Sequence, residues 1–220
     1  MRAAAHTRSV EDYLKAIYDL SRATGDASPS GVAARLAVAR ASVSAMVRRL
    51  ADQGLVAHEP YRGLRLTREG RAVALQLLRR HRVLEAYLVT ALGYGWDRVH
   101  DEAERLEHSV SDELINRMAA AIGEPTADPH GAPIPTARGT LTEPAYRSLG
   151  ELAVGEEARI AHVEDDDGEM LRYLASLRLI PGARVRYLGR EPFGGSLAIR
   201  VGSRTRRVTP ALAGRVFVNE

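Results

Sequence analysis

Apolar residues recur at helical three- and four-residue steps through the first half of the chain, then shift beyond residue 145 to short alternating runs. Val10, Tyr13, Leu14, Ile17 and Tyr18 form one stripe, which predicts a helix over 9–22 with Ser9 as N-cap and Asp12 in its first turn. Ser28-Pro-Ser-Gly opens a second helix through 36, with Val32, Ala33 and Leu36 inward. After a break at 37–39, Val43, Met46, Val47 and Leu50 pattern a third helix over 40–53, and Gly54 is placed to end it. Two short helices around a tight turn form a helix-turn-helix. The next two β-type runs, Leu55-Val-Ala-His-Glu and Leu64-Arg-Leu-Thr, flank Pro60-Tyr-Arg-Gly and predict a hairpin, hence a winged helix.

A long helix over 69–92 presents Val83, Leu84, Tyr87, Leu88 and Leu92, and a second over 97–117 presents Val99, Ala103, Leu106, Val110 and Leu114. Two amphipathic helices with too few partners of their own predict a homodimer core. Residues 123–144 hold five of the ten prolines and read as an extended linker in which His130 is a plain linker residue. Strand-like runs at 157–163, 184–188, 197–201 and 206–208, punctuated by Pro181-Gly and Gly194-Gly and joined by one helical piece at 168–176, predict a small SH3-like barrel. The expected fold is mainly α with a small β part. It comprises a winged helix-turn-helix over 1–72, a helical metal-binding and dimerisation domain over 73–126, a Pro-rich linker over 127–147 and the barrel over 148–220.

At 220 residues and 45% hydrophobic content the chain can bury real cores, and it has no run approaching the ~20 apolar residues of a membrane span. The first residues lack the apolar core of a signal peptide, which makes the cytoplasm the expected location. With no cysteine there is no disulfide framework, zinc ribbon or thiolate catalysis. Net charge is +3, with Lys15 the single lysine among 31 basic residues. Residues 1–70 carry 11 basic and 7 acidic groups, and 71–141 carry 8 and 10, so a basic front precedes an acidic middle. The outer face of the third helix carries Arg40, Ser42, Ser44, Arg48 and Arg49, suited to a DNA groove. Ser28 and Ser30 at the start of the second helix, with Tyr61 and Arg62 at the wing tip, complete the expected DNA surface. Arg48 and Arg49 are assigned to phosphate, Arg40, Ser42 and Ser44 to base edges.

On a single helix over 97–117, His100, Glu104, Glu107 and His108 share one side, beside the apolar stripe. Gathering two imidazoles and two carboxylates beside a core is costly unless a cation neutralises them, and a divalent metal is the simplest one. His81 and Glu85 form another pair of ligand type at i,i+4. The run Glu164-Asp-Asp-Asp-Gly-Glu lacks the spacing of a calcium hand and reads as solvated loop acids. Two other readings compete. A dinuclear hydrolase would use the same carboxylates and histidines but leaves the winged helix unexplained. A metal-independent regulator would leave the acidic row as mere surface.

Ser9-Val-Glu-Asp-Tyr-Leu-Lys-Ala-Ile-Tyr, the 40–54 helix with its wing, Arg80-His-Arg-Val-Leu-Glu, Val99-His-Asp-Glu-Ala-Glu-Arg-Leu-Glu-His and Asp128-Pro-His-Gly-Ala-Pro-Ile-Pro together resemble the diphtheria toxin repressor family. The resemblance covers nearly the whole chain. It implies a dimeric transcriptional repressor that binds operator DNA, controls metal-transport genes, crosses no membrane and acts on no small organic substrate. It also implies two metal sites per subunit, one matching Asp12, Glu104, Glu107 and His108, the other His81, Glu85 and His100 with Glu164 or Asp165 completing it. Iron-type members carry sulfur-bearing residues where this chain has Asp12 and Glu104; manganese-type members often have a carboxylate where it has Lys15. An all-oxygen-and-imidazole set suits a hard ion, so Mn²⁺ is expected ahead of Fe²⁺.

Overall fold

The computed structural model describes residues 6–25, 27–59, 63–142 and 144–219. The first helix, α1 (Arg8–Thr24), starts one residue before the expected cap: Thr7 is the N-cap, without a side-chain hydrogen bond, and Gly25 at φ 75° ends the helix. In α2 (Pro29–Arg35) Ser28 is the cap, its Oγ accepting the Gly31 N–H at 3.0 Å. In α3 (Arg40–Asp52) Val43, Val47 and Leu50 turn inward. The hairpin pairs β1 (Val56–Glu59) with β2 (Gly63–Leu66), and Leu64 also donates to the Ala27 carbonyl at 2.7 Å. Leu14, Ile17, Val32, Val43, Leu50, Leu64 and Leu75 close one core beneath these elements. Tyr61 and Arg62 lie outside the described residues.

The long helix α4 (Arg68–Leu92) matches its expected span. The expected single helix over 97–117 is instead two, α5 (Val99–Leu106) and α6 (Asp112–Ala121), joined by the turn 107–111. The Ser111 hydroxyl accepts the Leu114 N–H at 3.2 Å, and Asp112 and Glu113 add negative charge at the new N-terminus. A fresh cap thus outcompetes the continuous stripe. Ile115 and Ala119 become the buried positions of α6, and Leu114 remains 42% exposed.

Strand β3 (Arg147–Ser148) opens a six-stranded antiparallel sheet with β4 (Glu157–Val163), β5 (Arg184–Arg190), β6 (Leu197–Val201), β7 (Arg204–Val208) and β8 (Val216–Asn219), in spatial order β3-β8-β4-β5-β6-β7. Helices α7 (Gly168–Leu177) and α8 (Pro210–Ala213) are its helical insertions. Register shifts after Ile160 and Tyr187 curl the sheet around Leu149, Leu171, Leu174, Leu179, Val185, Ile199 and Val216.

The chain divides into two compact units. One holds the described residues up to His81, with Glu107–Val110 and Pro135–Leu141; the other holds Arg82–Leu106, Ser111–Ile134 and the residues from Thr142 onward. The 128–134 stretch is not a free linker. Asp128 Oδ1 accepts the N–H groups of His130 and Ala132 at 2.9 and 3.0 Å, folding a tight turn whose His130 carbonyl receives the Val163 N–H at 3.0 Å. Gly131, at φ 88°, lies so near β4 that a Cβ would stand 2.0 Å from the Ala161 carbonyl oxygen, so only glycine fits. Asp128 and Ile134 are buried there, and His130 is fully enclosed. Among the described residues no helix is long and apolar enough to cross a membrane.

Candidate metal centres and DNA-binding helix

In the first unit, Asp12 on α1 meets Glu107 and His108 from the turn after α5, with ligand-type atoms within 4.8 Å of one another. His108 Nε2 stands 2.9 Å from Asp12 Oδ1 and 3.4 Å from Glu107 Oε1, yet it makes no hydrogen bond although buried. The other ring nitrogen explains this. His108 Nδ1 is 2.7 Å from Glu11 Oε2, so with its proton there the ring donates to Glu11 and aims the Nε2 lone pair at two carboxylates. A lone pair facing two anions is repulsive unless a cation lies between them. A carboxylate behind the non-ligating nitrogen is the usual way proteins orient a metal-binding histidine. Glu11 was not anticipated from sequence; it sits one residue from Asp12, and no periodicity separates it from an ordinary first-turn acid.

Glu107 is fully buried and carries a second set of partners. Lys15 Nζ donates to both of its oxygens, at 3.0 and 3.1 Å, and His81 Nδ1 lies 2.7 Å from its Oε2. A tethered ammonium therefore holds one side of Glu107 while the other side faces Asp12 and His108. Arg80 lies 3.5 Å from Glu11.

The second unit holds a second cluster of Glu85, Asp128, His130 and Asp165. His130 Nε2 donates to the Trp96 carbonyl at 2.7 Å, and the indole stacks on the imidazole at 5.6 Å between centroids. The proton is thereby fixed on Nε2, and buried Nδ1, which makes no hydrogen bond, faces Glu85 at 3.8 Å and Asp165 at 3.7 Å. His100 Nδ1 approaches the same two carboxylates at 3.3 and 3.6 Å. Arg82 Nε stands 3.5 Å from Asp128 Oδ2. Burial works against protonation of His100, but the hydrogen bonds it donates to Asp165 and Glu85 outweigh it and raise its pKa to about 10. His130 shows the same contest, burial against Glu85, and rises to about 9. Burial, then the charge on Glu85, pushes Asp128 up to about 7. Burial opposes ionisation of Asp165, yet the His100 hydrogen bond leaves its pKa lowered. Without a metal, protons supply the positive charge that this cluster demands.

Most of the expected groupings are present: Glu85, His100 and Asp165 meet, and His81 stands one turn before Glu85 on α4. Asp12, Glu107 and His108 come together; Glu104, on α5, belongs to the other unit, its Oε1 3.9 Å from His100 Nε2. His81 partners Glu107, while Glu85 and His100 join the second cluster. Of the loop acids, Asp165 reaches that cluster, whereas Glu164 pairs with Arg215 at 2.5 Å, Asp166 also pairs with Arg215, and Asp167 caps α7. The reading of His130 as a plain linker residue is corrected: the Asp128 turn and Gly131 press it against β4 and aim it at Glu85.

On α3, Arg40, Ser42, Ser44, Arg48 and Arg49 are all exposed, as are Ala41 and Ala45 between them. Arg48 Nε folds back to the Ser44 carbonyl at 3.3 Å, and Ser44 Oγ donates to the Arg40 carbonyl at 3.2 Å. Ser28 is engaged as the α2 cap and lies 3.2 Å from Ser30 Oγ.

A helix-turn-helix with a wing and two carboxylate–imidazole clusters define a metal-responsive DNA-binding regulator. Residues 6–64 match the iron dependent repressor N-terminal DNA binding domain, 67–136 its metal binding and dimerisation domain, and 147–220 the FeoA domain. The chain belongs to the diphtheria toxin repressor family of metal-dependent transcriptional repressors, which are DNA-binding proteins and not enzymes. It is 33% identical over 190 residues to the iron-dependent repressor IdeR of Mycobacterium tuberculosis, covering 80% of this chain and 82% of that one. A manganese-dependent transcriptional repressor in complex with manganese superposes with a TM-score of 0.87 at 40% identity, over 95% of this chain and 98% of that one. The manganese regulator SloR gives 0.79 at 32% identity, over 98% and 100%.

Proposed function

We propose that this chain is a Mn²⁺-responsive dimeric repressor that binds operator DNA and controls metal-transport genes. In this reading each subunit takes two ions, one at Asp12, Glu107 and His108, the other at Glu85, His100, His130 and Asp165 beside Asp128. The observation that carries it is the orphaned Nε2 of His108, buried and aimed at two carboxylates while Nδ1 is held by Glu11. Neither donor set contains sulfur, so both favour a hard ion, and Mn²⁺ fits them better than the softer competitors. Fe²⁺ is the second reading, favoured by the likeness to the iron-dependent repressor of Mycobacterium tuberculosis.

A bound divalent ion would supply the positive charge that Asp12, Glu107 and His108 jointly require. Asp12 belongs to α1, part of the winged-helix core, whereas Glu107 and His108 lie in a segment continuous on both sides with the second unit. An ion shared by Asp12, Glu107 and His108 would tie α1 to the 107–110 turn within the first unit, so the winged helix loses internal freedom before it meets DNA. Less freedom remains to be lost on binding, so operator affinity rises. Linkage demands that operator DNA tighten metal binding by the same factor, typically about 5–150-fold.

Asp12→Ala should leave a folded dimer with residual Mn²⁺ affinity but no coupling. Fluorescence anisotropy on duplexes selected from random DNA, with and without Mn²⁺, Fe²⁺ and Zn²⁺, measures this directly. A variant whose affinity rises with Mn²⁺ as much as the parent's would sink the mechanism.

A further inference from the structure

The outer face of the C-terminal sheet carries a charge pattern that neither metal cluster uses. From residue 171 to the end, ten arginines stand against two carboxylates, Glu191 and Glu220. Strand register concentrates them. Ala158, Ile160, Val185, Tyr187, Leu197, Ile199 and Val208 face the core, so their neighbours face outward. Arg159 stands directly opposite Arg184, and Arg186 directly opposite Arg200, with Arg207 on the same side of β7. All five are exposed.

Like charges directly opposite on neighbouring strands destabilise a sheet. Local relief here is partial. Glu157 lies 3.9 Å from Arg186 and Glu191 lies 3.1 Å from Arg207, while among the described residues no carboxylate pairs with Arg159, Arg184 or Arg200. Arg159 and Arg186 also donate to the carbonyls of Gly182 and Gly155, which holds them in place. The result is a row of arginines carried on strands about 5 Å apart, with a net surplus of three charges (five arginines less two paired carboxylates).

We propose that this face binds the phosphate backbone of double-stranded DNA flanking the site read by α3. Guanidinium forks match phosphate oxygens in bidentate geometry, and an array of them tracks a polyanion without reading sequence. The proposal rests on the DNA-binding reading of the winged helix, because a chain already held on its operator meets flanking DNA at high effective concentration.

The test uses the full-length Mn²⁺-loaded protein and a double variant, Arg184→Gln with Arg200→Gln. Two duplexes from the same random selection serve as probes, one ending at the site, the other extended by about 20 base pairs, or two helical turns, on each side. On the long duplex the slope of log affinity against log salt should shrink by about 1.8 units, so a fourfold rise in salt costs the parent roughly tenfold more affinity than the variant. On the short duplex parent and variant should coincide, and the variant's thermal midpoint should be equal or higher because the opposed charges are gone. Equal slopes on the long duplex would overturn the proposal, and so would an equal loss on both. A change confined to binding of phosphatidylserine vesicles, which the fully exposed Phe193 at the β5–β6 tip could enter, would also overturn it. Binding to the short duplex reports the winged helix alone, so failure of that reading is distinguishable.

Discussion

His108 and His130 solve the same problem with different partners. Each imidazole spends one nitrogen on a fixed acceptor, Glu11 for His108 and the Trp96 carbonyl for His130, and turns the other toward two carboxylates. Asp12, Glu107 and His108 were legible from the sequence through the family pattern. His130 was not, because a histidine between prolines carries no periodicity and its role arises from contact with β4. The second cluster sets a pH prediction for the metal-free protein. His100 rises from 6.5 to about 10 and His130 from 6.5 to about 9, so the folded state holds protons more tightly than the unfolded chain does. That stabilisation is complete below about pH 6.5 and is lost as pH rises through 9 and 10. Asp128, raised from 3.8 to about 7, adds a loss of the same sign at lower pH. The metal-free thermal midpoint should therefore fall from pH 6.5 to 9, while the increment given by Mn²⁺ grows over the same range as metal replaces protons. A flat metal-free profile in differential scanning calorimetry would contradict this.

At the scale of elements, two local conflicts decided where the ligands fall. The stripe through 97–117 argued for one helix, but the Ser111 cap and the acids behind it start a second one. That signal was present in the sequence and lost to the stronger periodicity. The break matters chemically: it frees Glu107 and His108 from the α5 face that carries His100 and lets them turn to Asp12. The 128–134 turn depends likewise on Gly131. Gly131→Ala should destabilise the second unit by on the order of 2 kcal/mol, since it adds both a strained φ and a backbone clash. It should also reduce Mn²⁺ stoichiometry from two to one per chain, as measured by isothermal titration calorimetry. Full stoichiometry in a folded variant would show that His130 is dispensable for the second site.

For the whole molecule, the surface left uncovered points to assembly. Leu92, Tyr94 and Leu114 are 59%, 40% and 42% exposed on elements within the stretch matched as a metal binding and dimerisation domain. Leu114→Glu should weaken the dimer about 100-fold or more, because a charge buried at an interface without a partner costs several kcal/mol. Analytical ultracentrifugation would show monomer, and operator affinity would fall with it; an unchanged dimer would place the interface elsewhere. The sequence by itself determined the kinds of element, the helix-turn-helix, the wing strands and the barrel strands. Those follow from short-range periodicity, caps and turn residues, which act over a few positions. Tertiary structure decided the pairings that the family pattern does not name. It divided His100 from Glu107, gave Glu107 to Lys15 and His81 on one side, and drew His130 and Asp165 to Glu85 from stretches 45 and 80 residues further along the chain (130 and 165 less 85). Such meetings depend on the packing of a turn against a strand and of a helix against a loop, and no period in the sequence records them.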